Sequence, residues 1–345
     1  MRTLFFVIVI LTGFVATSCT TMLYTSIDVL RPAKVTFDKD AKSLLVLNNS
    51  VTQPESYGHT NELYGEKRKN VSVNTDSLAI FCLSVVNEEF QKNEFFSQVQ
   101  LHLPTVNQSG SFLATKSLVS DMKLMSEQYN ADVILSLDKI KVNDRISDFY
   151  DAETMNFYAL LEANFETTWS VSYPARNKIQ TYTFKDTIYW DAESSGRKKA
   201  LEALPNRYNA LIDGALYVGQ ASMKKFVPWW DKEDRYFFNF ENKALKQGLD
   251  SVYVKNWTAA IEHWEKGLPA ASVSSKAKLL HNLAVAYEIS GNMPKAIDCN
   301  QKSLATYETA NIMDYNHYLT ILQHKTLLEK RKREIEAINL QLGVQ

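Results

Sequence analysis

Glu162 and Glu166 lie in a stretch whose apolar residues recur at every second position, so both stand on the wet face of one strand, two pleats apart. Paired acids are what glycoside hydrolysis needs, but surface carboxylates of this kind are far commoner as solvated charges. The six histidines (His59, His102, His263, His281, His317 and His324) are scattered. Neither an HExxH pair nor a CxxC spacing occurs, so no metal site and no redox pair is indicated. No GxSxG elbow is present, and Ser195-Gly196-Arg197-Lys198-Lys199 lacks the glycines of a phosphate loop. With 11 glycines in 345 residues there is little backbone for such a cradle. The sequence therefore nominates no catalytic residue and no cofactor, and a non-enzymatic protein is expected.

Cys19 is the residue with the clearest chemistry. Arg2 gives a positive start, Leu4 to Phe14 is an almost unbroken apolar run, and Ala16-Thr17-Ser18 leads into the cysteine. This is the layout of a secretory signal peptide over residues 1–18; a spanning helix would need ~20 apolar residues. The cysteine directly after the small residues resembles the signal of bacterial lipoproteins, with Ala16 where leucine is commonest. The resemblance implies that Cys19 becomes the acylated N-terminus, palmitate included, and that the membrane is a partner through this lipid. A simple secretory cut after Ser18, releasing a soluble protein, is the alternative. Thr20 is not the aspartate of inner-membrane retention, and Thr20-Thr21-Met22-Leu23 lacks an acidic export stretch. The implied location is the outer membrane, facing the periplasm, with the cell surface a further option.

A formal net charge of −1 leaves no electrostatic footprint for nucleic acid, and 45% hydrophobic with 12% aromatic residues describes a well-packed globular chain long enough for two domains. Beyond Cys19 only Cys82 and Cys299 remain, each on an expected helix. A disulfide between them and two buried thiols are both compatible with an oxidising compartment.

The expected architecture is α+β: a mixed α/β sandwich over residues 36–228 after a tether over 19–35, then an all-α region over 229–345. Leu44 to Leu47 reads as a buried strand, and Gln53 to Asn74, polar with Pro54, Gly58 and Gly65, as a long exposed loop. Leu78, Phe81, Cys82, Val85 and Phe90 mark a helix, followed by a strand at Val99–Leu103 and a helix over about Thr115–Tyr129. Ala131–Leu137 is a strand continuing raggedly to Ile146. Odd positions from Phe157 to Tyr173 give the longest period of two in the chain, Ile179–Trp190 returns, and a helix runs over Leu204–Phe226. This order loosely resembles the periplasmic lipoprotein domains related to curli-secretion and penicillin-binding-protein activators. Val227-Pro228-Trp229-Trp230-Asp231 ends the domain; the two tryptophans suit an interdomain wedge or, alternatively, a ligand platform.

In the C-terminal region two units align at an offset of 36: Ala259-Ala260-Ile261 with Trp264 to Leu268, above Lys295-Ala296-Ile297 with Asn300 to Leu304. The second unit, with Ala284, Tyr287, Gly291 and Ala296, resembles the tetratricopeptide repeat, a helix-turn-helix unit. Asn300 stands where an aromatic is usual, Glu308 where a proline is, and Lys255 where the first unit's turn glycine belongs. A helix over about Met313–Leu342 would cap the stack, and its run Glu329 to Glu334 suits a solvated face or contact with anionic lipid. The resemblance implies a concave groove for an extended or helical peptide. On this chain it would be lined by Lys278, His281, Val285, Glu288 and Ile289, with Asn242, Leu245, Leu249 and Tyr253 from the first unit. The groove is either open to a partner or filled by the capping helix or the other domain.

The whole layout resembles a family of uncharacterised Gram-negative lipoproteins with a C-terminal tetratricopeptide-like region. The expected function is that of a lipid-anchored adaptor binding another envelope protein or peptide through its repeats. The alternative is a glycan- or ligand-capturing lipoprotein with a solvent-facing aromatic shelf.

Overall fold

The computed structural model describes residues 22–103, 112, 119–239, 242–310 and 315–343. The expected signal peptide and Cys19 lie outside the described residues. The fold is α+β, with sheet-rich structure followed by helices to the C-terminal end. It forms two compact units, Ala33–Pro228 and a second that joins the chain up to Pro32 with Trp229 onward.

In the sheet unit, β2 (Ser43–Asn48) lies parallel between β5 (Gln98–His102) and the first part of β6 (Val133–Asp151). Helix Leu78–Lys92 covers one face of β2 at Leu44 and Val46 and Met122 of helix Val119–Tyr129 the other at Leu45 and Leu47, hence the unbroken apolar run. The second part of β6 takes β3 (His59–Glu62) alongside in parallel, and β3 carries the short β4 (Lys69–Asn70). The other edge of β6 pairs along its length with β7 (Asn156–Tyr173), which pairs with β8 (Lys178–Ser194). A bulge between Leu137 and Lys139 shifts the alternation of β6, so that Leu137 and Ile140 both point inward. That phase change is what makes the segment look ragged in sequence.

Two helices cover the inner face of the sheet, α1 (Leu78–Lys92) and, later in the chain, the helix Arg207–Phe226. They cross closely at Gly219, where a Cβ would sit 2.5 Å from the Cys82 carbonyl oxygen. On the opposite face Met122 of α2 (Val119–Tyr129) packs on Leu45, Leu47 and Ile134. The helix expected over Leu204–Phe226 is α4 (Arg207–Phe226), and a further helix that the sequence reading did not foresee, α3 (Arg197–Ala203), precedes it. Pro205 forces Leu204 into extended backbone, and Asn206 then caps α4 through the amides of Tyr208 and Asn209.

The tether expected over 19–35 is largely a strand. β1 (Met22–Arg31) pairs antiparallel over ten residues with β9 (Trp229–Phe238), from Met22 opposite Phe238 to Arg31 opposite Trp229. The helical unit therefore begins with a two-stranded ribbon. Trp230 is 68% exposed on its outer face and is not a buried wedge.

The helices of this unit are α5 (Lys243–Tyr253), α6 (Trp257–Gly267), α7 (Val273–Ile289), α8 (Met293–Thr309) and α9 (Tyr315–Leu342). The offset of 36 read in sequence recurs in the turns. Asn256 caps α6 and Asn292 caps α8, each preceded by a left-handed residue, Lys255 at φ 55° and Gly291 at φ 76°. Asn300 is polar because it donates to the Ile321 carbonyl of α9 at 3.1 Å. The charged run Glu329 to Glu334 is a solvated face only in part. Arg331 donates to the Leu30 carbonyl, and Glu334 takes both its oxygens to Arg31 at 2.9 and 2.8 Å. Among the described residues no helix is long and apolar enough to cross a membrane.

Candidate functional site

The residues expected to line an open peptide groove are mostly interior. Leu245, Leu249, His281, Val285 and Glu288 are buried, Lys278 and Ile289 half-buried, and only Tyr253 is well exposed. The occupant of the face carried by α7 is the chain's own ribbon together with α9. Asn282 holds the Phe238 backbone with both ends of its amide, accepting from the N–H at 2.8 Å and donating to the C=O at 3.0 Å. His281 Nε2 donates to the Tyr236 carbonyl at 3.1 Å. Glu288 receives Arg235 of β9 in a bidentate pair, Nη2 at 2.6 Å and Nε at 2.8 Å, and His324 of α9 at 3.0 Å. Arg235 also reaches Glu233 at 2.8 Å, and Arg31 bridges Asp231, Glu233 and Glu334. Charges therefore face inward along β9, each matched by an opposite one. Burial alone would raise the Glu288 carboxyl, but the hydrogen bonds from Arg235 and then His324 outweigh it and hold the group at about 2. Burial, with the neighbouring His324 imidazole, pushes His281 down to about 3.

The opposite stripe of α7 is different. Lys276, Leu280, Leu283 and Tyr287, spaced four, three and four residues apart, line a cleft of about 880 Å³. Leu268 after α6, and Lys295, Cys299 and Lys302 of α8, complete its apolar floor and basic rim. The Tyr287 hydroxyl donates to Glu265, and the Lys295 ammonium sits 4.9 Å from the Tyr287 ring centroid. Lys302 is paired with Asp298 at 2.6 Å. Burial pushes the Cys299 thiol up to about 11, so it is a neutral floor group rather than a nucleophile. Cys82 and Cys299 are both free thiols. Sequence periodicity marks α7 as buried on several sides, but it does not tell which stripe the ribbon covers.

The sheet unit holds a cluster the sequence reading missed, because it lies in the segment read as an exposed loop. His59 Nδ1 is paired with Asp144 Oδ1, both side chains fully buried, and Asp144 Oδ2 lies 3.0 Å from Arg207 Nε. Gln53 clamps the Val142 backbone, accepting its N–H at 2.8 Å and donating to its C=O at 2.7 Å. Arg207 caps the strand by donating to the Thr60 carbonyl at 3.0 Å. A His–Asp pair suggests a catalytic base, but its neighbours among the described contacts are Arg207, the Gln53 amide and backbone, and the nearby Thr60 hydroxyl donates to the Asp144 main-chain carbonyl at 3.4 Å rather than to the histidine. The geometry is that of a clamp fixing β3 to β6 and to the start of α4. The acids Glu162 and Glu166 are also engaged. Glu162 is held below the usual carboxylate range by Asn164 and then Arg145, and Glu166 pairs with Lys185 at 3.2 Å. A general acid needs the opposite shift. No group of three or more His, Cys, Asp or Glu able to hold a metal ion occurs among the described residues.

On the outer face of the same sheet, toward the β6–β7 turn, Phe149 stacks on Tyr158 at 5.2 Å between centroids. Phe149 and Tyr189 are each more than half exposed, and Asp191 and Glu193 share the outward stripe of β8.

A family model described as a domain of unknown function, DUF8603, matches residues 41–238, more than half of the chain. The chain belongs to the DUF8603 family. The match to DUF8603 covers the sheet unit from residue 41 and runs on through β9 to Phe238. A second model, domain of unknown function DUF6340, matches residues 246–328 of the helical unit. No curated protein matches this DUF8603 member. Among solved structures, a neuraminyllactose-binding hemagglutinin homolog from Helicobacter pylori shares 10% identity over 65% of this chain and 94% of its own, with a TM-score of 0.26. Another, a crystal structure of an uncharacterized protein, shares 8% identity over 54% and 99%, with a TM-score of 0.21. Scores this low carry neither fold nor function to this chain.

Proposed function

We propose that this protein is a non-enzymatic, lipid-anchored adaptor of the bacterial outer membrane. Cys19 carries the lipid, and the tetratricopeptide-like helical unit holds a segment of another envelope protein. The observation that carries the reading is the cleft between α6, α7 and α8. Its volume of about 880 Å³ falls in the ~300–1,000 Å³ range of ligand sites. Its chemistry selects the partner. Leu268, Leu280, Leu283 and Tyr287 offer an apolar floor, while Lys276 and Lys295 stand on a rim where Asp298 is already matched by Lys302. An amphipathic segment with apolar anchors and carboxylates fits this pattern. The sequence around Cys19 supports anchoring, and the near-neutral charge gives no reason to invoke nucleic acid.

The test is photo-crosslinking in intact cells with a benzophenone side chain at Val273, a 53% exposed rim residue, and at Met155 of the sheet unit as control. A discrete envelope protein is expected at position 273 only, and Lys276→Glu/Lys295→Glu is expected to reduce that adduct about tenfold or more, as losing ~1.4 kcal/mol would. The same adduct at both sites, or none at 273, would sink the adaptor reading.

The exposed Phe149 and Tyr189, with the half-buried Tyr158 stacked on Phe149, beside Asp191 and Glu193 favour a second reading, glycan capture on that sheet face. Aromatic faces attract the C–H side of a pyranose, and carboxylates accept from its hydroxyls. Neutral oligosaccharides such as chitotetraose should then bind in calorimetry, with Phe149→Ala and Tyr189→Ala each weakening them about tenfold. Unchanged binding in both variants would remove the site.

A further inference from the structure

Cys19 and Met22, the first residue of β1, are three positions apart. Even a fully extended chain spans no more than ~3.6 Å per residue, so a lipid on Cys19 holds the start of β1 within ~11 Å of the bilayer surface. Resting on the proposed acylation of Cys19, this bound decides which part of the protein meets the membrane: it is the helical unit, at the Met22–Phe238 end of its ribbon.

That end is rich in tyrosine. Tyr24 and Tyr236 face each other across the ribbon, with ring centroids 4.4 Å apart and exposures of 59% and 37%. Met22 packs with Tyr318 on the small core formed by Phe238, Ala277, Leu304, Tyr307 and Ile321. Tyr315, 68% exposed, lies one turn before Tyr318 on the same face of α9. The unit's own core accounts for the inner side of this group but not for three exposed tyrosines around one strand end. Rings with an apolar body and a polar tip are favoured at headgroup depth, where the body leaves water and the hydroxyl keeps its hydrogen bonds. We infer that Tyr24, Tyr236, Tyr315 and Tyr318 form an interfacial collar that seats the helical unit on the lipid headgroups around the anchor. The lipid on Cys19 holds one point of the chain to the membrane but leaves the unit free to swivel about it, and a collar fixes its orientation. The opposite end of the ribbon, Leu30 with Trp230, is eight pairs away, ~27 Å along the strands, and is held off the surface.

The experiment uses the full-length protein purified with its native N-terminus and placed in phosphatidylethanolamine/phosphatidylglycerol vesicles. An environment-sensitive nitrobenzoxadiazole label is attached at Tyr315→Cys, and in separate samples at Tyr236→Cys and Lys232→Cys, in a Cys82→Ser/Cys299→Ser background. Mass spectrometry first establishes whether Cys19 is acylated; an unmodified Cys19 overturns the anchoring reading itself. With Cys19 acylated, labels at 315 and 236 should shift to the blue and be quenched at least twofold by headgroup-proximal doxyl lipids, while the label at 232 stays unquenched. Equal quenching at all three sites, or none at 315 and 236, would overturn the collar while leaving anchoring intact. Circular dichroism of each labelled variant checks the fold.

Discussion

Glu288→Ala is expected to destabilise the helical unit by ~3–5 kcal/mol, the cost of removing one partner of a buried ion pair. Glu288 and Arg235 are each only 3% exposed in their side chains, and the pair is bidentate. Without the carboxylate, Arg235 keeps the Glu233 carboxylate and the Asp234 carbonyl, and His324 Nε2 loses its acceptor. The loss should fall on the unit that contains the pair. Hydrogen exchange at α7 amides should speed up strongly, while that at α4 stays near wild type. Replacing both charges, as in Arg235→Met/Glu288→Leu, should recover much of the loss, because no uncompensated charge is then left inside. Urea unfolding of the single and double variants measures both numbers. A single-variant loss below ~1 kcal/mol would mean that the pair behaves as an exposed surface bridge.

That pair also explains what could and could not be read from the sequence. The β7 period survives translation into structure because one face of Phe157–Phe165 is core and the other wet. The charged β9 does not look like a strand, since Asp231, Glu233 and Arg235 occupy its inward positions. Their inward placement is intelligible only once Arg31 from β1, Glu288 and Glu334 are in place, and Arg31 lies 200 residues before Asp231 while Glu288 lies 53 residues after Arg235. β1 itself carries the signal, with Leu23, Thr25, Ile27 and Val29 alternating against Tyr24, Ser26 and Asp28. It looks like a tether because its partner lies on the far side of the sheet unit's sequence. The Gln53–His59 clamp is hidden for a related reason. A polar stretch with glycines has loop composition, and only the backbone of Val142 and the carboxylate of Asp144 make it cheap to bury. In the helical unit the hairpins follow from periodicity and the offset of 36, but the face left open does not, because periodicity marks burial and not its agent.

Acid should weaken the helical unit before the bilayer or any partner is involved. In the unfolded chain a histidine titrates near ~6.5 and a glutamate near ~4.3, whereas in the fold His281 is pushed down to about 3 and Glu288 held at about 2. Both folded values are depressed, so between the folded and unfolded values the unfolded chain binds the proton first. Stability is then fully present above pH ~6.5 and falls as the pH is lowered, by ~1.4 kcal/mol per pH unit while His281 alone contributes. Below pH ~4.3 Glu288 joins with the same sign, and the slope approaches ~2.7 kcal/mol per unit down to about 3. The histidine is the earlier sensor because its Nε2 proton already serves the Tyr236 carbonyl while Nδ1 has no partner, so a second proton would be buried without an acceptor. His281→Phe forfeits the bond to Tyr236 and lowers stability at pH 7, yet it should flatten the dependence between pH 6.5 and 4.5. Unfolding free energies at half-unit pH intervals, taken for both proteins with the same probe in α7, give the difference directly. Identical slopes in that window would show that His281 takes up its proton in the folded unit as readily as in water, and would break the link between its burial and acid sensitivity.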